Sequence, residues 1–383
     1  MKKDLNNINT YLIIALVIVV SIGLYFTLSV PGPKEAPKPI PPREVTVTIL
    51  QGCDGCFNIS AALNFLQQQK NLNVTSVKEL GLEEAKTEAS KYGITRLPAV
   101  VITGNTANLT IQNFAAKEGA LVFDQSPPPY YDVATSAVKG HVTVVIIEDK
   151  TCANCFSMDQ VVSQLKQSGI VLTSETKIDA KSAEGKQLIS QYKIEKIPTL
   201  IFNKEALEYD IVKQVWNQVG TEESDGKLVL RFISPPYINV SAGKVEGLVD
   251  ITLITDRSCA DCFNASALQD LFAQSFNMAF RKSTIIDVAS TSGKTYVKKY
   301  SIELVPTVVL SKDATAYPNL PQAWTQVGTI EKDGSFVFRN IGLLQDFFTQ
   351  TGASFAYKNL TSGETLPKAA SAEAEITAPT AEE

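Results

Sequence analysis

"TCANCF", residues 151–156, places two cysteines two residues apart. "GCDGCF" (52–57) and "SCADCF" (258–263) repeat the arrangement, and these three stretches hold all six cysteines of the 383-residue chain. A second motif travels with the first. "KYGITRLPAVVI" (91–102), "QYKIEKIPTLIF" (191–202) and "KYSIELVPTVVL" (299–310) share a tyrosine, an isoleucine two positions on, and an apolar residue before a proline. That proline follows the first cysteine by 45 residues for Cys53 and Pro98, 46 for Cys152 and Pro198, and 47 for Cys259 and Pro306. Two motifs recurring together at near-constant separation mark an internal repeat. "VWNQVGTEESDGKLVLR" (215–231) and "AWTQVGTIEKDGSFVFR" (323–339) extend the match between the last two copies. The first copy has only "AKEGALVFD" (116–124) there and is the most diverged.

The middle copy shows the order of elements. "HVTVVIIED" (141–149) alternates and is rich in Val and Ile, which predicts a strand. "CFSMDQVVSQLKQ" (155–167) has apolar residues at helical spacing. "IVLTSETKID" (170–179) reads as a strand, "AKSAEGKQLISQYKI" (180–194) as a helix and "PTLIF" (198–202) as a third strand. "KQVWNQVG" and "KLVLRFI" flank "EESDG", whose Asp225-Gly226 suits a hairpin turn, so Trp216 and its counterpart Trp324 are expected in hairpin strands. Only the third copy adds a final helical stretch, "NIGLLQDFFTQTG" (340–352). In the first two, "SPPPYYD" (126–132) and "SPPYINV" (234–240) lead straight on, so the sheet face left open there is expected to be covered by a neighbouring unit.

The order β-α-β-α-β-β, with CxxC at a strand-to-helix junction and a proline opening the third strand, resembles the thioredoxin-like superfamily and is similar to protein disulfide oxidoreductases and isomerases. The resemblance implies an α/β protein of three tandem thioredoxin-like domains, each a mixed sheet flanked by helices, over 45–138, 139–245 and 246–352. It implies that Pro98, Pro198 and Pro306 follow cis peptide bonds and face the cysteines. X-Pro bonds are the ones that tolerate the cis form. Leu97, Ile197 and Val305, with those prolines, then line the groove where substrate backbone docks.

The chemistry follows from placement. Cysteines three apart on a helical turn can meet the distance a disulfide needs. At a helix N-terminus the first thiol is acidified by unpaired N–H groups and the positive dipole end. Cys53, Cys152 and Cys259 are therefore the candidate nucleophiles, and Cys56, Cys155 and Cys262 the resolving thiols. Lys150 and Arg257, each two residues before a nucleophile, are expected to favour the thiolate, whereas the first copy has Gln51. The second and third pairs are thus expected to be the more reactive. Phe57, Phe156, Phe263 and the tyrosines Tyr92, Tyr192 and Tyr300 read as core, and the single histidine, His141, as structural.

The ends of the chain bear on location. "YLIIALVIVVSIGLYFTLSV" (11–30) is twenty residues without a charge, preceded by Lys2 and Lys3. At about 1.5 Å per residue it spans roughly 30 Å, the hydrocarbon core of a bilayer. The reading is a cytoplasmic N-terminus (1–10), one transmembrane helix (11–30), a proline-rich spacer (31–44) and domains outside, in a periplasm or at the cell surface. A cleaved signal peptide is the alternative. Residues 353–383 read as a disordered acidic tail.

Net charge is −5 and no basic patch stands out, which argues against nucleic acid as a partner. Three functions fit the residues. The first is a membrane-tethered thiol–disulfide oxidoreductase, oxidase or isomerase, with redox-active disulfides in place of a cofactor and exported thiol or disulfide proteins as substrates. The second is a relay passing reducing equivalents between thiol pairs or from a membrane redox partner. The third is a binding scaffold with inert disulfides or soft-metal capture, though structural zinc wants four ligands and no metal site is assigned.

Overall fold

The computed structural model of the protein describes residues 42–345, 348 and 355–367. The expected cytoplasmic segment, the anchor and the spacer up to residue 41 lie outside these, as does the chain from 368. No helix among the described residues is long and apolar enough to cross a membrane. The chain divides into two compact units. Of the described residues, one unit comprises 42–51 together with Asn58–Gln125, and the other takes in Gly52–Phe57 and those from Ser126 onward.

In the first unit, β1 (Arg43–Leu50), α1 (Ser60–Gln67), β2 (Leu72–Leu80), α2 (Leu82–Lys91), β3 (Arg96–Leu97), β4 (Ala99–Gly104), β5 (Ala115–Lys117) and β6 (Ala120–Phe123) follow in order. Five of the strands make one sheet, β2-β1-β4-β6-β5. β1 runs parallel to β2 and antiparallel to β4. Val45, Val47 and Ile49 alternate along β1 and are buried, so the period-two pattern sets the register.

The second unit opens with the hairpin β7 (Tyr130–Asp132) and β8 (Ala137–Lys139). Repeat 2 then runs β9 (Val142–Glu148), α3 (Met158–Gln167), β10 (Leu172–Asp179), α4 (Ala183–Gln191), β11 (Lys196–Ile197), β12 (Thr199–Phe202), α5 (Asp210–Val219), β13 (Gly220–Glu222), β14 (Leu228–Leu230), β15 (Tyr237–Asn239) and β16 (Lys244–Glu246). Its main sheet, β10-β9-β12-β14-β13, has the same order as that of repeat 1. Repeat 3 copies it with β17 (Leu248–Thr255), α6 (Ser266–Phe276), β18 (Ala279–Asp287), α7 (Thr291–Tyr300), β19 (Leu304–Val305), β20 (Thr307–Leu310), α8 (Leu320–Val327), β21 (Gly328–Ile330), β22 (Phe336–Phe338), β23 (Tyr357–Asn359) and β24 (Thr365–Leu366). A parallel βαβ unit followed by an antiparallel βββ edge, with CxxC after the first strand, is the thioredoxin-like fold, present here three times.

Three expectations are corrected. Trp216 and Trp324 are not in strands: they lie on α5 and α8. Val212, Trp216 and Val219 recur at one-turn spacing and bury one face, and the strand starts only at Gly220. A Cβ at Gly220 would stand 2.5 Å from the Trp216 ring, so only glycine lets the chain turn there. Most of the open sheet face is also covered from within the repeat, which leaves a groove beside α5 and β14. In repeat 2, Met158 and Val162 of α3 and Val212 and Trp216 of α5 form one core with Val144 and Leu200 of the sheet. The covering helix thus precedes the last two strands of the main sheet instead of following them. Repeat 1 has no helix between β4 and β5, and Leu109 and Ile111 of that loop are buried in its place.

The third correction concerns the tail. β23 and β24, inside the stretch expected to be disordered from 353, form a three-stranded sheet with β19, as β15 and β16 do with β11. The polar residues of "YKN" and "TL" carry no apolar period, yet their backbone hydrogen bonds complete repeat 3. The final helix expected over 340–352 opens as a 3-10 turn, Ile341–Leu344, and residues 346, 347 and 349–354 lie outside those described.

The Asp225-Gly226 turn is as expected, with Gly226 at φ +78°. The turn is anchored by Tyr192, whose hydroxyl donates to Asp225 Oδ2 at 2.8 Å. Burial, and then this carboxylate, push the phenol up to about 12.

Candidate active site

Each CxxC pair forms a disulfide, with Cα–Cα separations of 5.1 Å (Cys53–Cys56), 5.4 Å (Cys152–Cys155) and 5.4 Å (Cys259–Cys262). All six cysteines are half-buried, and the residues between them are exposed. The pairs sit in tight turns, not on helices. Helices begin at Ser60, Met158 and Ser266, six or seven residues beyond the first cysteine. What separates turn from helix is the phenylalanine after each pair. Phe57 N–H donates to Pro129 O, Phe156 N–H to Pro236 O and Phe263 N–H to Ala356 O, at 2.7, 2.7 and 2.9 Å. These bonds hold the chain extended, and Asn58 and Asn264 then accept from Ser60 and Ser266 N–H where the next turn starts. The helix dipole fades within one turn, so it does not reach the first cysteine as the sequence suggested.

The three prolines Pro98, Pro198 and Pro306 all follow cis bonds. In repeat 3 the Cys262 sulfur lies 4.0 Å from Val305 O, and in repeat 2 Cys152 and Ile197 line one cavity. The expected docking groove is different from what the resemblance implies. Leu97, Ile197 and Val305 are 0%, 4% and 0% exposed. Ile197 pairs with Ile238 of β15, and Val305 with Lys358 of β23, so the backbone edge beside these two prolines is occupied by the protein's own hairpins. Thr365 of β24 comes within 3.9 Å of the Cys259 sulfur.

The cations are also not those expected. Lys150 is exposed, and Arg257 is 90% exposed and leans toward Asp287, Nε to Oδ2 4.0 Å. Water and the facing carboxylate screen such charges. Two other lysines stand at the turns. Asp149 accepts from Thr151 N–H (2.9 Å) and hydroxyl (2.7 Å), and Lys181 bridges Asp149 (3.0 Å) and Thr151 Oγ1 (2.7 Å). Repeat 3 does the same with Asp256, Ser258 and Lys358: both serine bonds reach one carboxylate oxygen, and Lys358 meets Asp256 at 2.7 Å and Ser258 Oγ at 2.8 Å. Burial pushes both carboxyls up, but these hydroxyl, amide and lysine partners outweigh it and hold them below the usual range. The shared signal was D-x-[ST]-C at 149–152 and 256–259, while the lysines have no common sequence position.

Repeat 1 lacks the aspartate and hydroxyl, and its turn is tied by Cys53 N–H donating to the Cys56 sulfur at 3.1 Å. His141 is close by: a Cβ on Gly55 would stand 3.7 Å from its Nε2. Around Cys152 a cavity of about 500 Å³ opens, lined among others by Lys181, Lys186, Ile197, Ile238 and Val245. No group of three or more His, Cys, Asp or Glu among the described residues could hold a metal.

No protein-family model and no curated protein matches the chain. Among solved structures it is similar to the alkylhydroperoxide reductase AhpF of Enterococcus faecalis, at 13% identity over 42% of this chain and 81% of that one, with a TM-score of 0.15. ERdj5 follows at 11% over 73% and 42%, TM-score 0.14, and the zinc-bound form of human ERp44 at 11% over 81% and 87%, TM-score 0.15. Scores this low carry no argument about activity. The thioredoxin-like class rests on the protein's own sheet order, CxxC turns and cis-prolines.

Proposed function

We propose that the chain is a membrane-tethered thiol–disulfide oxidoreductase, an oxidase or isomerase, acting on exported proteins. The observation that carries this reading is the cavity open at Cys152, where a half-buried disulfide meets the segment before a cis-proline with Lys181, Lys186 and Lys244 on its wall. In the reduced state the Cys152 thiolate attacks a substrate disulfide, forming a mixed disulfide and releasing one substrate thiolate. Cys155 then attacks the mixed disulfide, the second substrate sulfur leaves, and the pair returns to Cys152–Cys155 as the substrate is reduced. Run in reverse, the same exchange oxidises a substrate dithiol. Because β15 already pairs with β11, substrate enters by side-chain contact in this cavity and not by adding a strand.

The test is trapping in cells with Cys155→Ser and Cys262→Ser, which stall the mixed disulfide. A spread of exported proteins linked to the chain is expected. A single membrane protein linked instead would establish the relay. Failure to refold a scrambled disulfide substrate, unchanged by Cys152→Ser or Cys259→Ser, would leave only the scaffold.

A further inference from the structure

A bare face on repeat 2 stands where repeat 3 carries a helical segment. In repeat 3, Ile341, Leu344 and Phe348 join the core around Phe263, Phe272 and Trp324. Phe355 stacks on Phe263 with centroids 5.7 Å apart. That segment is an insertion. Arg339 and Tyr357 are eighteen positions apart, and their counterparts Arg231 and Tyr237 six. The correspondence is fixed by shared bonds. Arg231 donates to Tyr192 O and Arg339 to Tyr300 O, and the next residue's N–H donates to Val219 O in one repeat and Val327 O in the other. Without the insertion, repeat 2 is left with an apolar groove of about 320 Å³ between α3, α5 and β14.

The rim sharpens the contrast. Ile211, Val215 and Phe232 are 54%, 45% and 53% exposed. Their counterparts in repeat 3 are Asn319, Ala323 and Asn340. The repeat whose face is covered carries polar or small residues at the rim, and the repeat whose face is bare carries large apolar ones. Water alone selects the opposite, and contiguous exposed apolar surface marks interaction sites. The groove lining contains no charged residue, and Ser234 is its one hydroxyl.

We propose that this groove docks an amphipathic helix of a partner protein. The helix presents aliphatic and aromatic side chains one turn apart, as Leu344 and Phe348 are in repeat 3, with no charge on that face. The sibling repeat shows the occupant's chemistry: the same core accepts a helical segment of this kind in place of water. The site is separate from the disulfide turns and stands whether or not thiol exchange is the activity.

The probe is a fluorescent peptide with the sequence of residues 339–352 of this chain, titrated into the full chain in lipid nanodiscs so that no free detergent competes. Saturable binding is expected. Phe232→Asn and, separately, Ile211→Asn should each weaken it by about tenfold, the scale of one anchoring side chain. Both changes are at exposed positions and match what repeat 3 carries at the rim, and circular dichroism checks that the fold is kept. A peptide with Leu344→Asn and Phe348→Asn should not bind. No binding, or equal binding by wild type and both variants, overturns the proposal. Binding of decanoate without binding of the peptide overturns it in favour of an acyl-chain site. Concentration-dependent dimerisation abolished by Phe232→Asn overturns it in favour of a second copy.

Discussion

Repeats 2 and 3 build the chain before their cysteines from the same aspartate and hydroxyl, and repeat 1 builds it from neither. Leu50, Gln51 and Gly52 replace the aspartate, the basic residue and the hydroxyl, and the first turn relies on a backbone-to-sulfur bond. The lysine in each of the other turns comes from a different part of the chain, Lys181 from the loop before α4 and Lys358 from β23. What repeats 2 and 3 share is therefore an arrangement of charge, rebuilt by whichever side chain lies within reach. A similar exchange occurs at the hairpin. Arg231 pairs with Glu223 and Arg339 with Glu331, while repeat 1 holds its hairpin with the reversed pair Lys117 and Asp124.

The comparison can be broken most strongly in the core. Trp324 is 1% exposed and its indole N–H donates to Thr329 O, so Trp324→Ala should cost about 3–5 kcal/mol in denaturant unfolding of repeat 3. Trp216→Ala should cost less, because Trp216 borders the groove and its N–H has no partner among the described residues. Equal losses would mean that the groove is not a packing defect. Next, Asp256→Asn should destabilise the third turn by about 1–3 kcal/mol through the orphaned Ser258 and Lys358, read as lost amide protection over 256–262 with no change over 52–57.

The effect of pH should be smaller and confined to the same two turns. Asp149 and Asp256 have lowered folded pKa values, so their stabilisation is fully present above the ordinary aspartate value of about 3.9. It is lost as pH falls below that through the folded values. Amide protection factors of Thr151 and Ser258 should hold down to about pH 4 and drop beneath it, with no such step at Gly52. Smallest of all, Arg257→Ala should change the thiol exchange rate of the third pair by less than about twofold, since its charge is screened. Loss of that pair's reactivity in Arg257→Ala would restore the cation to the role its sequence position suggested.

The repeat, the sheet order and the prolines were legible because each rests on local pattern: alternation in "HVTVVIIED", turn chemistry at Asp225-Gly226, and the fixed step from cysteine to proline. The helix α5 was not, since "KQVWNQVG" is β-branched and aromatic and satisfies both a strand's propensity and a helix's period. Only the Trp216 ring lying against Gly220 decides it. The true helix starts were hidden for a related reason: the phenylalanine after each pair is drawn out of helix by a carbonyl far along the chain. The burial of Ile197 and Val305 depends on hairpins whose strands of two or three residues are too short to carry a period of their own.

Those distant carbonyls also set a clock. Phe57 waits for Pro129, Phe156 for Pro236 and Phe263 for Ala356, partners 72, 80 and 93 residues downstream. A chain made at roughly 5–20 residues per second therefore exposes each cysteine turn for several seconds before its clasp arrives. The thiols of every repeat are thus made well before their turn is latched, and the third pair waits longest.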